Sequence, residues 1–314
     1  MTAMYHPYFR GKQFELLVIR ETAGLLAACK FVPIIEPVKE ALSGLERTLK
    51  TICEAKGKAV IIVNPSYGVY SEGGQSISSL MKTQFENNEL VDVGVLLKQG
   101  MSLVDALAFY DQHPNHTITF VHAGFTQAKA LADRLGENLK ETRHVFIDDE
   151  GGTLYRNHFR GCERVLLKDG YTSRRNSDHP DVEFFSELHI TFEDLSMDGF
   201  GDFSIVGDDY AEGGGPAYTV AIHLTFIDPD NDNAMYLYHF KSDRQDTPTD
   251  PAGKFLEALE KLIRKLNSPN HKLFESSAIK EFQDLYTRRH FPGLGYIKKL
   301  AMKHHIETLA HYLT

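Results

Sequence analysis

The sequence predicts an α/β fold: a (β/α)8 TIM-barrel-like domain with a late antiparallel hairpin and C-terminal helices. Three observations carry this. Six short apolar segments alternate with helical segments between residues 31 and 170. Their bodies are continuously apolar, as parallel strands covered on both faces are. The length of 314 residues suits one such barrel with additions, since about 250 residues is typical. Right-handed crossovers wind such strands into a closed barrel or an open doubly wound sheet, and the strand count favours the barrel.

From Gly11 to Cys29, the residues Phe14, Leu17, Val18, Leu25 and Cys29 recur near helical spacing. "FVPIIEPV" (31–38) reads as a buried parallel strand. "KEALSGLERTLKTICEAKG" then sets Leu42, Leu45, Leu49 and Ile52 on one helical face and stops at Gly57. "KAVIIVNP" is a second strand. A helix near 76–86 precedes the strand 91–97, a helix at 102–111 precedes 118–124, and a helix at 126–135 precedes 144–149. "RVLLKDG" (164–170) follows.

Residues 170–200 form a long polar excursion, an insertion or lid candidate with a short helix expected at 181–194. "GDFSIVGDDY" (201–210) reads as a seventh strand. "YTVAIHLTFI" and "AMYLYHFKS" flank the turn "DPDNDN", a hairpin signal. One of the two supplies the eighth barrel strand, with its neighbour added antiparallel. Helices at 252–267, 276–289 and 295–313 finish a single domain spanning 1–314.

The apolar content of 42% and charged content of 25% are those of a folded soluble protein. No apolar run reaches the roughly 18 residues of a membrane span, and the opening residues lack a basic region followed by an apolar stretch. Cys29, Cys53 and Cys162 stand at unrelated spacings in apolar contexts, as buried thiols do. These features predict a cytoplasmic protein that does not engage membranes. A net charge of −9 argues against broad electrostatic binding to nucleic acid.

In parallel α/β folds, functional side chains gather where strands end. Here those ends carry Glu36, Asn64, Lys98, His122, Asp148 with Asp149, Lys168 with Asp169, and Asp208 with Asp209. Glu36, Asp148 and Asp208 have the oxygen chemistry to hold Mg or Mn, a divalent cation suited to phosphodiester hydrolysis. With His122 they are the candidate catalytic groups. Arg10, Lys12, Glu15, Asn64 and Lys168 are candidate ligand-binding residues, the cations holding the phosphate of a small molecule or a nucleic-acid end. The alternative for the same residues is a structural ion network around the barrel mouth. In that case the protein is a non-catalytic interaction module that offers its late hairpin and C-terminal helices to a protein partner. "GDDYAEGGGPAY" matches no nucleotide-binding loop and reads as a turn. Arg174 and Arg175 suit anion recognition or a solvated surface. The adjacent His304 and His305 cannot face one metal from a single helix face, and read as packing or partner-contact residues.

"YFRGKQFE", "VPIIEPVK", "VIIVNP", "GFGDFSIVGDDYAEGGGPAYTVAIHLT" and "HFPGLGYIKKLAMKHH" resemble an uncharacterised bacterial and phage-associated group, itself distantly similar to the phage "beta protein" family. The resemblance runs over nearly the whole chain. It implies a barrel-like fold and a phage or phage-defence setting, and transfers no reaction. Arg10, Lys12, Glu15, Glu36 and Asn64 stand at the positions of the shared motif.

Overall fold

The computed structural model describes residues 4–213 and 215–314. The chain gathers into two compact units. One comprises the chain up to Lys168 together with Thr191–Phe203; the other comprises Asp169–Ile190 with Ser204–Thr314.

The first unit is the expected parallel barrel. Its strands are β1 (Tyr8–Phe9), β2 (Ile34–Ile35), β3 (Ala59–Ile62), β4 (Val91–Lys98), β5 (Ile118–Ala123), β6 (Arg143–Ile147), β7 (Glu163–Leu167) and β9 (Gly199–Gly201); β8 (Val182–Ser186) belongs to the other unit. Neighbours pair in parallel throughout, in the order β1 to β7 and then β9. Backbone bonds close the sheet on itself. His6 N–H donates to Phe200 O at 2.8 Å, Phe200 N–H to Met4 O at 2.8 Å, and Tyr8 N–H to Asp202 O at 2.9 Å. Helices α1 (Gln13–Cys29), α2 (Ser43–Glu54), α3 (Gln75–Gln84), α4 (Leu103–Asp111), α5 (Ala128–Leu135) and α6 (Thr153–Arg156) fill the connections between the first seven strands.

Alternate residues of each strand point into the barrel. Tyr8, Ile34, Val60, Ile62, Leu96, Val121, Val145, Val165, Leu167 and Phe203 fill its interior as one buried cluster. Below them, at the amino ends of the strands, the same parity turns charged residues inward. Arg143 Nη1 lies 2.8 Å from Asp92 Oδ2, Arg143 Nε lies 3.0 Å from Glu163 Oε1, and His6 Nε2 lies 3.9 Å from Glu163 Oε1.

The strand count is right, but its membership differs from the expectation. The barrel begins one strand earlier, at Tyr8–Phe9, inside the segment that leads into α1. Two residues are too few to show a period of two. The eighth strand is Gly199–Gly201; the run from 202 leaves the sheet, and Ser204, at φ +52°, starts a 3-10 turn. The late hairpin therefore lies outside the barrel. The helix expected over 181–194 is instead β8 followed by the short α7 (Leu188–Thr191). "VEFFS" is rich in β-branched and aromatic residues, and strand pairing decides its state.

In the second unit, β10 (Ala221–Asp228) and β11 (Ala234–Lys241) form the hairpin, and β8 pairs antiparallel with β11. Three helices accompany them: α8 (Pro251–Leu266), α9 (Ser277–Thr287) and α10 (Leu294–Leu313). Asp250 caps α8 by accepting from Gly253 N–H at 2.9 Å, with Pro251 at the first helical position. His304 and His305 are fully buried packing residues. His304 bonds Thr225 O at 2.8 Å and Ser276 Oγ at 2.7 Å, and His305 bonds Thr225 Oγ1 at 3.1 Å. Among the described residues the three cysteines are free, and no helix is long and apolar enough to cross a membrane.

Candidate anion site at the barrel mouth

Four inward positions at the carboxyl ends of β1 to β4 carry Arg10, Glu36, Asn64 and Lys98. Glu36 is fully buried. Its Oε2 accepts from Tyr8 Oη at 2.8 Å and from the Arg10 guanidinium, and its Oε1 accepts from Ser66 N–H at 2.6 Å. Arg10 is also enclosed by aromatic faces, lying 5.0 Å from the Tyr8 ring centroid, 4.8 Å from that of Tyr67 and 5.5 Å from that of Phe203. The pair is a buried, hydrogen-bonded ion pair between adjacent strands, the arrangement in which losing one partner costs most.

Asn64 extends β3 with its side chain. Its Nδ2 donates to Leu96 O at 2.8 Å and its Oδ1 accepts from Leu96 N–H at 2.7 Å, the pattern of one more peptide in the ladder. Glu15 accepts the Lys12 backbone N–H at 3.2 Å, the reciprocal half of a capping box at the start of α1. Burial holds its carboxyl above the usual range. Lys12 itself is half-buried.

Lys98 differs from these. Its ammonium donates to Pro65 O at 2.6 Å, which leaves donor capacity for a ligand. Burial lowers its pKa, partly offset by the charge of Glu36. Lys98 and Asn64 line a pocket of about 200 Å³ with Tyr70, Ser71, Gly73 and Gly74; Glu72 stands at its exposed rim. Gly74 is the N-cap of α3 and offers no side chain to the first-turn N–H groups. A Cβ there would fall 1.6 Å from Val63 O, so only glycine brings the helix start this close to the end of β3. The Lys98 ammonium and a helix amino end on one small pocket are groups that suit an anion, with Glu72 as the one carboxylate beside them.

Of the remaining candidates in the barrel unit, His122, Asp148 and Lys168 do not line this pocket. His122 points outward from β5, because Val121 and Ala123 take the inward parity. Its Nδ1 bonds Tyr155 Oη at 2.7 Å, and its Nε2 bonds His144 Nδ1 at 2.9 Å. It stacks on Phe146 at 4.6 Å, beneath α6. Burial holds both imidazoles neutral, with His144 lowered to about 3. Asp148 opens a 3-10 turn and pairs with Arg156 at 3.2 Å. Lys168 is exposed. Asp208 lies in the second unit, where its N–H donates to Asp169 Oδ2 at 2.7 Å. Arg174 pairs with Glu183 at 2.7 Å. The segment 207–218 includes Gly214, outside the described residues.

Among the described residues, one set of three His, Cys or carboxylate groups has its ligand atoms within 4.8 Å of one another: His179, His223 and His239. Sequence reading passed over it. The signal was symmetry about the turn, since His223 and His239 pair directly across the hairpin. The second unit also holds a cavity of about 420 Å³, beside Ile227, Asn233, His271, Phe274 and His311. No family model matches the chain and no curated protein matches it, so the geometry alone speaks for the site.

Proposed function

We propose that the barrel unit is a receptor for a phosphate-bearing ligand held at the carboxyl ends of β3 and β4. The observation that carries this reading is the half-buried Lys98 ammonium in a pocket shared with the amino end of α3. The ammonium supplies charge, and the amino end of α3, whose N-cap Gly74 lines the pocket, adds the positive end of the helix dipole. Arg10 and Glu36 support the reading from beneath: their mutual pairing fixes the 66–74 loop through Ser66, so the pocket is preorganised.

The reading is binding, without hydrolysis. Both Glu36 oxygens are committed to the fold, which leaves it poorly suited to be a base or a metal ligand. A second reading, an interaction module, is favoured by the 420 Å³ cavity between the hairpin end and α10, whose size and aromatic lining fit an inserted side chain of a partner.

The test is calorimetric titration of inorganic phosphate and nucleoside monophosphates into wild type and Lys98→Met. Wild type is expected to bind at least one of them with an affinity that falls as salt rises, and Lys98→Met to lose tenfold or more while its melting temperature is kept or raised. Equal binding by both proteins, or none by wild type, removes the reading.

A further inference from the structure

We propose that His179, His223 and His239 form a binding site for a divalent transition metal of the zinc class, independent of the barrel mouth. The three imidazoles come from three places in the second unit: the turn before β8, β10 and β11. All are buried, with exposures of 1%, 8% and 3%, and their ligand atoms lie within 4.8 Å of one another. His223 Nδ1 and His239 Nδ1 share a hydrogen bond at 2.6 Å, whose proton a metal would displace as the two rings part, and the rings of His179 and His239 stack at 4.4 Å.

Glu183, on β8, orients two of the rings. Its Oε1 lies 3.0 Å from His179 Nδ1 and 2.9 Å from His239 Nε2. Its other oxygen accepts from Arg174 at 2.7 Å, so the carboxylate is a positioning group and not a ligand. His179 is hydrogen-bonded to the carboxylate, whereas His239 Nε2 faces it at ion-pair distance. A ring that turns one nitrogen to a carboxylate presents its other nitrogen, which is how metal-bound imidazoles are commonly held. The nitrogens left for a metal are therefore His179 Nε2 and His239 Nδ1, the latter against His223 Nδ1. Tyr171 Oη hydrogen-bonds His179 Nε2 at 3.2 Å, and a metal at that nitrogen would replace this bond. Imidazole donors select zinc, cobalt, nickel, copper or iron over magnesium and manganese. Three nitrogens match the donor number of zinc sites with one further position. Bound there, the metal ties the turn at His179 to the hairpin and so secures β8 against β11.

The test uses the full chain, stripped with a chelator and titrated with CoCl2 while visible ligand-field bands are followed, then with ZnCl2 in competition. Wild type is expected to take one equivalent, to show bands of tetrahedral or five-coordinate cobalt, and to melt higher when loaded. His223→Gln and His239→Gln are expected to lose at least tenfold in affinity, and Glu183→Gln to weaken binding 10- to 100-fold. Should the histidine variants fail to fold, X-ray absorption on zinc-loaded wild type decides, since imidazole scattering is expected around the metal. Absence of cobalt bands and of retained zinc in wild type overturns the proposal in favour of a metal-free hydrogen-bonded network. An all-oxygen shell, or undiminished binding by folded variants, overturns it as well.

Discussion

Arg143 shows how much a single side chain can hold. It is buried inside the amino end of the barrel between Asp92 and Glu163, and burial raises the Asp92 pKa even with the guanidinium beside it. Arg143→Met is expected to destabilise the barrel by about 3–5 kcal/mol, because it leaves the buried Asp92 carboxylate uncompensated. The double variant with Asp92→Asn should recover part of that loss in urea unfolding; a double variant no better than the single one would show that packing dominates. The His122–His144 pair sets a pH dependence. Both pKa values are lowered, so below about 6.5 the unfolded chain takes up protons that the folded chain does not. Stability is therefore unaffected by this pair above that pH and falls as pH drops, by up to about 1.4 kcal/mol per pH unit for each histidine. The loss from His144 continues toward its folded value of about 3. His144→Gln should be less stable at pH 7 and show a shallower decline to pH 5. An unchanged slope would place the acid sensitivity elsewhere.

At the scale of elements, Asn64 makes the clearest prediction. It pairs with both polar backbone groups of Leu96, so Asn64→Ala shortens the β3–β4 ladder. The expected cost is about 1–3 kcal/mol for each buried group left unpaired, and faster hydrogen exchange at Leu96 would be its signature. Most helices were legible because their apolar residues recur at helical spacing over eight or more residues, and the inner strands because they are continuously apolar runs. The two-residue strands and β8 were not, because partners far along the chain decide them. The mouth was legible in part for the same reason. Glu36, Asn64 and Lys98 were found as strand ends, but strand parity decides which ends face inward. That parity sends His122 beneath α6, although the alternation around Val121 was already in the sequence.

At the scale of the molecule, the two units are interleaved along the chain, with β8 lying between two barrel strands in sequence and pairing with β11. A chain ended after Phe203 keeps all eight barrel strands yet leaves β8 without its partner, exposing a strand that carries Phe184 and Phe185. Unpaired apolar strands template aggregation. That truncation is expected to be insoluble, and replacing residues 170–189 in it with a short polar linker should restore solubility. Equal solubility of the two truncations would show that β8 is no liability.

The closure of the barrel also has a consequence for its biogenesis. The bonds that complete the sheet join residues 4–8 to 200–202, nearly two hundred residues along the chain. At about 5–20 residues per second, the first strand waits roughly 10–40 s during synthesis before its partner exists, with one side of the nascent sheet open throughout. Contacts this distant are slow to form even in a finished chain. Tyr5, Tyr8 and Phe9, all buried in the folded chain, stay at that open edge for the whole interval.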